Sequence, residues 1–157
     1  PRDLTRAARL LESSANQGVA EAQYGLARLY EEGEGVTQDP IRAAYWMGLA
    51  ASQGHSNAEL EYGIMVFKGR GVQKDEETGA AWLLRSAEGG NPVAANRLAR
   101  LYAFGRGVRL DAVEAAKWHL VSRRLGASDV WLDGYVQSLP EQEREKAEKA
   151  AGEWNPK

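Results

Sequence analysis

The chain has 157 residues, 20 Lys plus Arg against 22 Asp plus Glu, and a formal charge of -2. That length holds one compact domain or one short repeat array, and the charge balance disfavours a strongly cationic nucleic-acid or membrane binder. The absence of cysteine excludes disulfides, thiolate zinc sites and cysteine nucleophiles, and the long uncharged stretch beginning at Ala43 falls short of the roughly 20 residues that span a bilayer.

The chain opens at Pro1 rather than at a methionine, and the expectation is a piece of a longer polypeptide. Asp3 to Gln17 reads as the second helix of a hairpin whose first helix is missing. Ala20 to Glu32 follows as a helix with an apolar stripe of Ala22, Leu26, Ala27, Leu29 and Tyr30. Gly33 stops it, Gly35 reverses the chain, Asp39 is placed to cap the next helix, and Pro40 suits its first position. That second helix, about Pro40 to Gln53, carries Ala43, Ala44, Trp46, Met47, Ala50 and Ala51 inward, and Gly54 ends it.

The whole pattern then returns with a step of 36 residues. Gly33-Glu34-Gly35-Val36 recurs as Gly69-Arg70-Gly71-Val72 and Gly105-Arg106-Gly107-Val108, Asp39 as Asp75 and Asp111, and Trp46 as Trp82 and Trp118. Asn91 before Pro92 supplies another cap, and Asp111 with Glu114 reads as a capping box. After Gly126 the repeat lapses. Leu139 through Trp154 reads as a closing helix, bringing the expected total to nine. The divisions are a half repeat or cap over 3–18, repeats over 19–54, 55–90 and 91–126, and a degenerate cap over 127–157, all in one domain of 1–157. One hairpin cannot bury its apolar face alone, so the units must stack.

The run Ala20 to Val36, followed by Asp39, Ala43-Ala44-Tyr45-Trp46 and Ala50-Ala51-Ser52-Gln53-Gly54, resembles the Sel1-like repeat, a relative of the tetratricopeptide repeat. The resemblance implies an all-α, right-handed superhelix, or solenoid, of stacked hairpins. It also implies that the first helix of each hairpin lines a concave face. Proteins similar to this one are frequently exported to the periplasm, where some restrain envelope signalling or assist polysaccharide machinery, and the same is expected here.

Leu60, Ile64 and Phe67 add a second apolar stripe to the first helix of the middle unit. With the orientation the resemblance implies, these three form a groove floor extended by Tyr24 and Phe104 and bordered by Arg28, Asn96 and Arg100. Such a floor suits a protein or peptide partner with apolar anchors and acidic neighbours. The arginines of the third unit, Arg97, Arg100, Arg106, Arg109, Arg123 and Arg124, read as a solvated face, with an acidic partner segment or an anionic glycan as the alternative.

No catalytic, metal or cofactor site is expected. His55 reads as a turn residue and His119 lacks metal-ligand spacing. Glu31, Glu32 and Glu34 form a solvated helix end, and the glycine loops lack the setting of a phosphate loop. Trp46, Trp82 and Trp118 obey the period and belong to the scaffold, while Trp131 and Trp154 read as packing in the cap. The rival function is a glycan- or peptidoglycan-binding module that stacks sugars on Trp131 or Tyr24.

Overall fold

The computed structural model describes residues 2–157. Among the described residues there are nine helices and no strands: α1 (Arg2–Asn16), α2 (Ala20–Glu32), α3 (Pro40–Ser52), α4 (Ser56–Lys68), α5 (Glu76–Glu88), α6 (Pro92–Phe104), α7 (Ala112–Arg124), α8 (Val130–Ser138) and α9 (Glu141–Glu153).

Side-chain caps set the starts of several helices. Asp39 accepts hydrogen bonds from the backbone N–H groups of Ile41 and Arg42, and Asn91 accepts them from Val93 and Ala94. Asp111 accepts from the N–H of Glu114, which is one half of the expected capping box. The ends of α2, α4 and α6 fall at Gly33, Gly69 and Gly105, each in the left-handed conformation.

The helices group into two compact units, one ending at Asp75 and one running from Glu76 to Lys157. In the first unit α2 packs on α1 and α3, and α3 on α4. Its core is built on alanines, with Ala43, Ala44, Ala50 and Ala51 buried around Leu26, Met47 and Met65, and small inward residues let the helix axes approach closely. In the second unit α6 packs on α5 and α7, and α7 also receives α9 and α8. Leu83, Leu98, Trp118, Val121, Leu132 and Val136 are among the bulky side chains buried there.

The hairpin loops do more than reverse the chain. A Cβ added to Gly35 would lie 2.3 Å from the carbonyl oxygen of Leu4, and one added to Gly71 would lie 2.0 Å from that of Pro40. Each loop is thus seated on backbone near the start of a helix in the preceding hairpin, an approach only glycine permits.

Past Gly126 the 36-residue step lapses and the chain closes with α8 and α9. Helix α8 carries positions equivalent to those of a first helix, with the register moved by two residues, although α9 rather than α8 makes the larger contact with α7. The caps Asn91 and Asp129 are 38 residues apart, as are the buried pairs Ala94 and Leu132, and Leu98 and Val136. A strict 36-residue search loses phase at this insertion.

Candidate interaction surfaces

In the first unit, α2 and α4 carry five of the predicted site residues. Tyr24 stacks on the His55 ring, with centroids 4.5 Å apart and planes 23° apart, and its hydroxyl donates to Glu61 Oε1 at 3.3 Å. Burial, reinforced by the Glu61 charge, raises the Tyr24 pKa above the ordinary phenol value. Arg28 donates to the same Glu61 oxygen at 2.9 Å and also pairs with Glu32.

His55 is a structural residue. Its Nδ1 accepts from the backbone N–H of Ala58, capping α4, so Nε2 carries the proton and donates to Glu21 at 2.7 Å. The turn role read from sequence thus has a specific form.

Leu60, Ile64 and Phe67 are half-buried. The fully buried face of α4 is made instead by Ala58, Gly63, Met65 and Val66 together with Glu59. Ile64 lines an open cleft of about 320 Å³ whose other walls include Arg28, Glu31, Glu61, Lys68 and Arg70. Glu31 faces Arg70 at 3.6 Å, and burial lifts its pKa despite that cation.

In the second unit, the remaining three predicted residues converge on α8. Arg100 forks onto Asp129, with Nε to Oδ2 at 2.7 Å and an η nitrogen to Oδ1 at 2.8 Å. Asn96 donates to Oδ2 at 2.9 Å, and the backbone N–H of Leu132 donates to Oδ1 at 3.1 Å. Burial alone would raise the Asp129 pKa, but the hydrogen bonds from Arg100, Asn96 and Leu132 outweigh it and hold the carboxyl at about 2.

Phe104 stacks on Trp131 with centroids 5.1 Å apart and planes 19° apart, and Trp131 stacks in turn on Tyr135 at 5.6 Å and 22°. The Arg100 guanidinium lies 5.3 Å from the Trp131 ring centroid. Phe104 is 56% exposed and Trp131 44%. Trp131 is therefore an open surface residue as well as part of the α6–α8 contact, whereas Trp154 packs edge-on against buried Trp118.

His119 is buried, and its Nε2 meets Asp133 Oδ1 at 2.7 Å, with Arg123 3.4 Å from the same oxygen. This joins α7 to α8. Among the described residues no group of three or more His, Cys, Asp or Glu could hold a metal ion, and no helix is long and apolar enough to cross a membrane.

Two features depart from the sequence expectation. Arg28, Asn96 and Arg100 were expected to border a groove and meet a partner's acids, and each instead binds a carboxylate of the chain itself. Glu61, Asp129, Asp133 and Tyr135 were missed. The signal for Asp129 was available in the 38-residue step from Asn91, since a cap residue there announces where α8 begins.

A model of the Sel1 repeat matches residues 1–19, 20–55, 56–91 and 92–126. Among solved structures the chain is similar to a Sel1 repeat protein from Oxalobacter formigenes, at 35% identity and a TM-score of 0.73, over 88% of this chain and 100% of that one. It is also similar to a protective antigen present in uropathogenic Escherichia coli strains displaying an SLR fold. There the identity is 30% and the TM-score 0.74, over 94% of this chain and 33% of that one. No curated protein matches.

Proposed function

The chain belongs to the Sel1 repeat family, all-α repeat solenoids that generally mediate protein–protein interaction, and on that premise we propose that it is a non-catalytic adaptor or regulator. It holds a partner peptide or domain on the open faces of its first helices, α2 and α4 in one unit and α6 and α8 in the other.

The observation that carries this reading is Ile64. The 36-residue step puts Arg28 and Arg100 at the same position in the flanking repeats, and there each arginine ties down a carboxylate on a neighbouring helix. At 64 an isoleucine stands instead, lining a cleft whose other walls are largely charged. An apolar side chain at such a place is suited to an anchor residue of a partner.

The test is a photocrosslinking amino acid at position 64 in cells carrying the full gene, with the captured protein then purified and titrated against the chain. A partner whose affinity falls about tenfold or more with Leu60→Ser supports the reading. A chain that is folded and abundant yet captures nothing argues against it.

The glycan reading draws on one observation, the open ring ladder of Phe104, Trp131 and Tyr135. Quenching of tryptophan fluorescence by soluble peptidoglycan fragments, lost in Trp131→Ala, would favour it. Export and an envelope role rest on the resemblance, and fractionation of cells expressing the full gene tests them: recovery in the cytoplasm removes both.

A further inference from the structure

We infer that the α6–α8 face of the second unit docks an acidic protein segment that carries an aromatic or large aliphatic anchor. The inference rests on the interaction reading above and gives it a site and a partner chemistry.

Three observations converge on this occupant. The first is apolar exposure on neighbouring helices. Val93, Arg97, Arg100 and Phe104 follow one another along α6 at steps of four, three and four, so they share a face. Val93 and Phe104 are exposed there, as are Val130 and Trp131 on α8. The rings are already stacked on one another and the Arg100 guanidinium is fixed by Asp129. A partner therefore meets a preorganised platform, and little side-chain entropy is lost on binding.

The second is charge. From Gly89 to Leu110 the sequence holds four arginines and no acidic residue. Arg100 is paired with Asp129 and Arg106 with Glu76. Arg97 and Arg109 are exposed and form no ion pair among the described residues. Asp133, the one acidic residue within α8, is engaged by His119 and Arg123. The unmatched charge of this stretch is positive, and it favours carboxylates on the occupant.

The third decides between a peptide and a sugar. Asp129 already accepts four hydrogen bonds, two from Arg100 and one each from Asn96 and the Leu132 N–H. A carboxylate has about four acceptor sites, so none remains for a sugar hydroxyl. The face offers aromatic surface and the unpaired cation of Arg97 rather than an open hydroxyl-binding network. Carboxylates flanking an apolar anchor match that supply, and a neutral glycan does not.

The probe is a random peptide library displayed on phage and selected against the full chain at low salt. The expected binders combine Asp or Glu with an aromatic or large aliphatic residue. Arg97→Glu and Phe104→Ser each weaken them about tenfold or more, and their affinity falls steeply between about 0.05 and about 0.3 M NaCl. Both replaced side chains are exposed, so circular dichroism and Tm stay near those of the unmodified chain; if Phe104→Ser unfolds, Arg97→Glu alone decides.

Binders that lack acidic residues, or that ignore both substitutions and are lost with Ile64→Lys, overturn this site while leaving the interaction reading intact. A library that yields no binder also overturns the inference, and the crosslinking at position 64 then decides the broader reading independently. Retention on soluble peptidoglycan fragments that depends on Phe104 overturns the inference in favour of a glycan.

Discussion

Arg28 and Arg100 stand at the same position of two repeats, twice 36 residues apart, and each grips a carboxylate on the next first helix, Glu61 at 2.9 Å and Asp129 at 2.7 Å. The two struts are not equivalent. Arg28 and Glu61 are both partly solvated and share one hydrogen bond, an arrangement worth at most about 1 kcal/mol. Asp129 has a side chain only 7% exposed, receives a two-pronged guanidinium, and also caps α8, so it joins a helix start to a charge pair in one residue.

Asp129→Ala is therefore expected to cost about 2–3 kcal/mol, about 1 from the cap and the rest from hydrogen bonds lost by Arg100 and Asn96. For a chain of this size that lowers Tm by roughly 5–10 °C. Glu61→Ala should lower it much less. Thermal melts and urea titrations of both variants check the ranking, and equal losses would remove the distinction between the struts.

The low Asp129 pKa gives a pH dependence with a definite sign. A folded-state pKa of about 2 lies below that of an ordinary carboxyl, so the stabilisation is complete above the unfolded value near pH 4 and is lost as pH falls towards 2. Its size is about 2 kcal/mol. The stability of the unmodified chain should fall in that window by more than that of Asp129→Asn, with urea midpoints from pH 5 to 2 as the measurement. Parallel profiles would show that this carboxylate does not govern the acid limb.

Much of the fold is legible in the sequence because its determinants are local. Asp39, Asn91 and Asp111 cap within three residues of themselves, and the 36-residue step is visible without any pairing information. The surfaces are less legible because their partners are distant. Glu61 lies 33 residues from Arg28, and Asp129 lies 29 from Arg100. Nothing in the local pattern separates an arginine facing a partner from one facing its own chain. The contact of Trp131 with Phe104 was hidden for another reason: the two-residue shift of α8 rotates every side chain of that helix by about 200° relative to a strict repeat.

The position before α2 shows a gap that sequence changes can fill. Val19 and Asn91 are equivalent, with nearly the same extended backbone, φ -73° and ψ 111° against φ -78° and ψ 116°. Asn91 caps its helix with two backbone hydrogen bonds, and Val19 makes no side-chain cap. Val19→Asn is expected to stabilise the chain by about 1 kcal/mol, raising Tm by roughly 2–4 °C. No gain in Tm would mean that Val19 packing contributes as much as a cap.

The loop glycines separate two costs that substitution usually mixes. Gly54 has φ +85° and nothing within 4 Å of where an added methyl group would stand, whereas Gly71 has φ +71° and backbone oxygen of Pro40 at 2.0 Å. Alanine at 54 meets only the left-handed penalty, about 1–2 kcal/mol. At 71 the same penalty is joined by a clash with main chain, which can be relieved only by lifting the loop from α3. Gly71→Ala should therefore cost about 3 kcal/mol or more beyond Gly54→Ala. It should also speed amide exchange at the N-terminal turn of α3, where the loop is seated, while exchange there is unchanged in Gly54→Ala. Similar losses in the two variants would mean that the loop yields easily and that the close approach is not what holds the hairpins together.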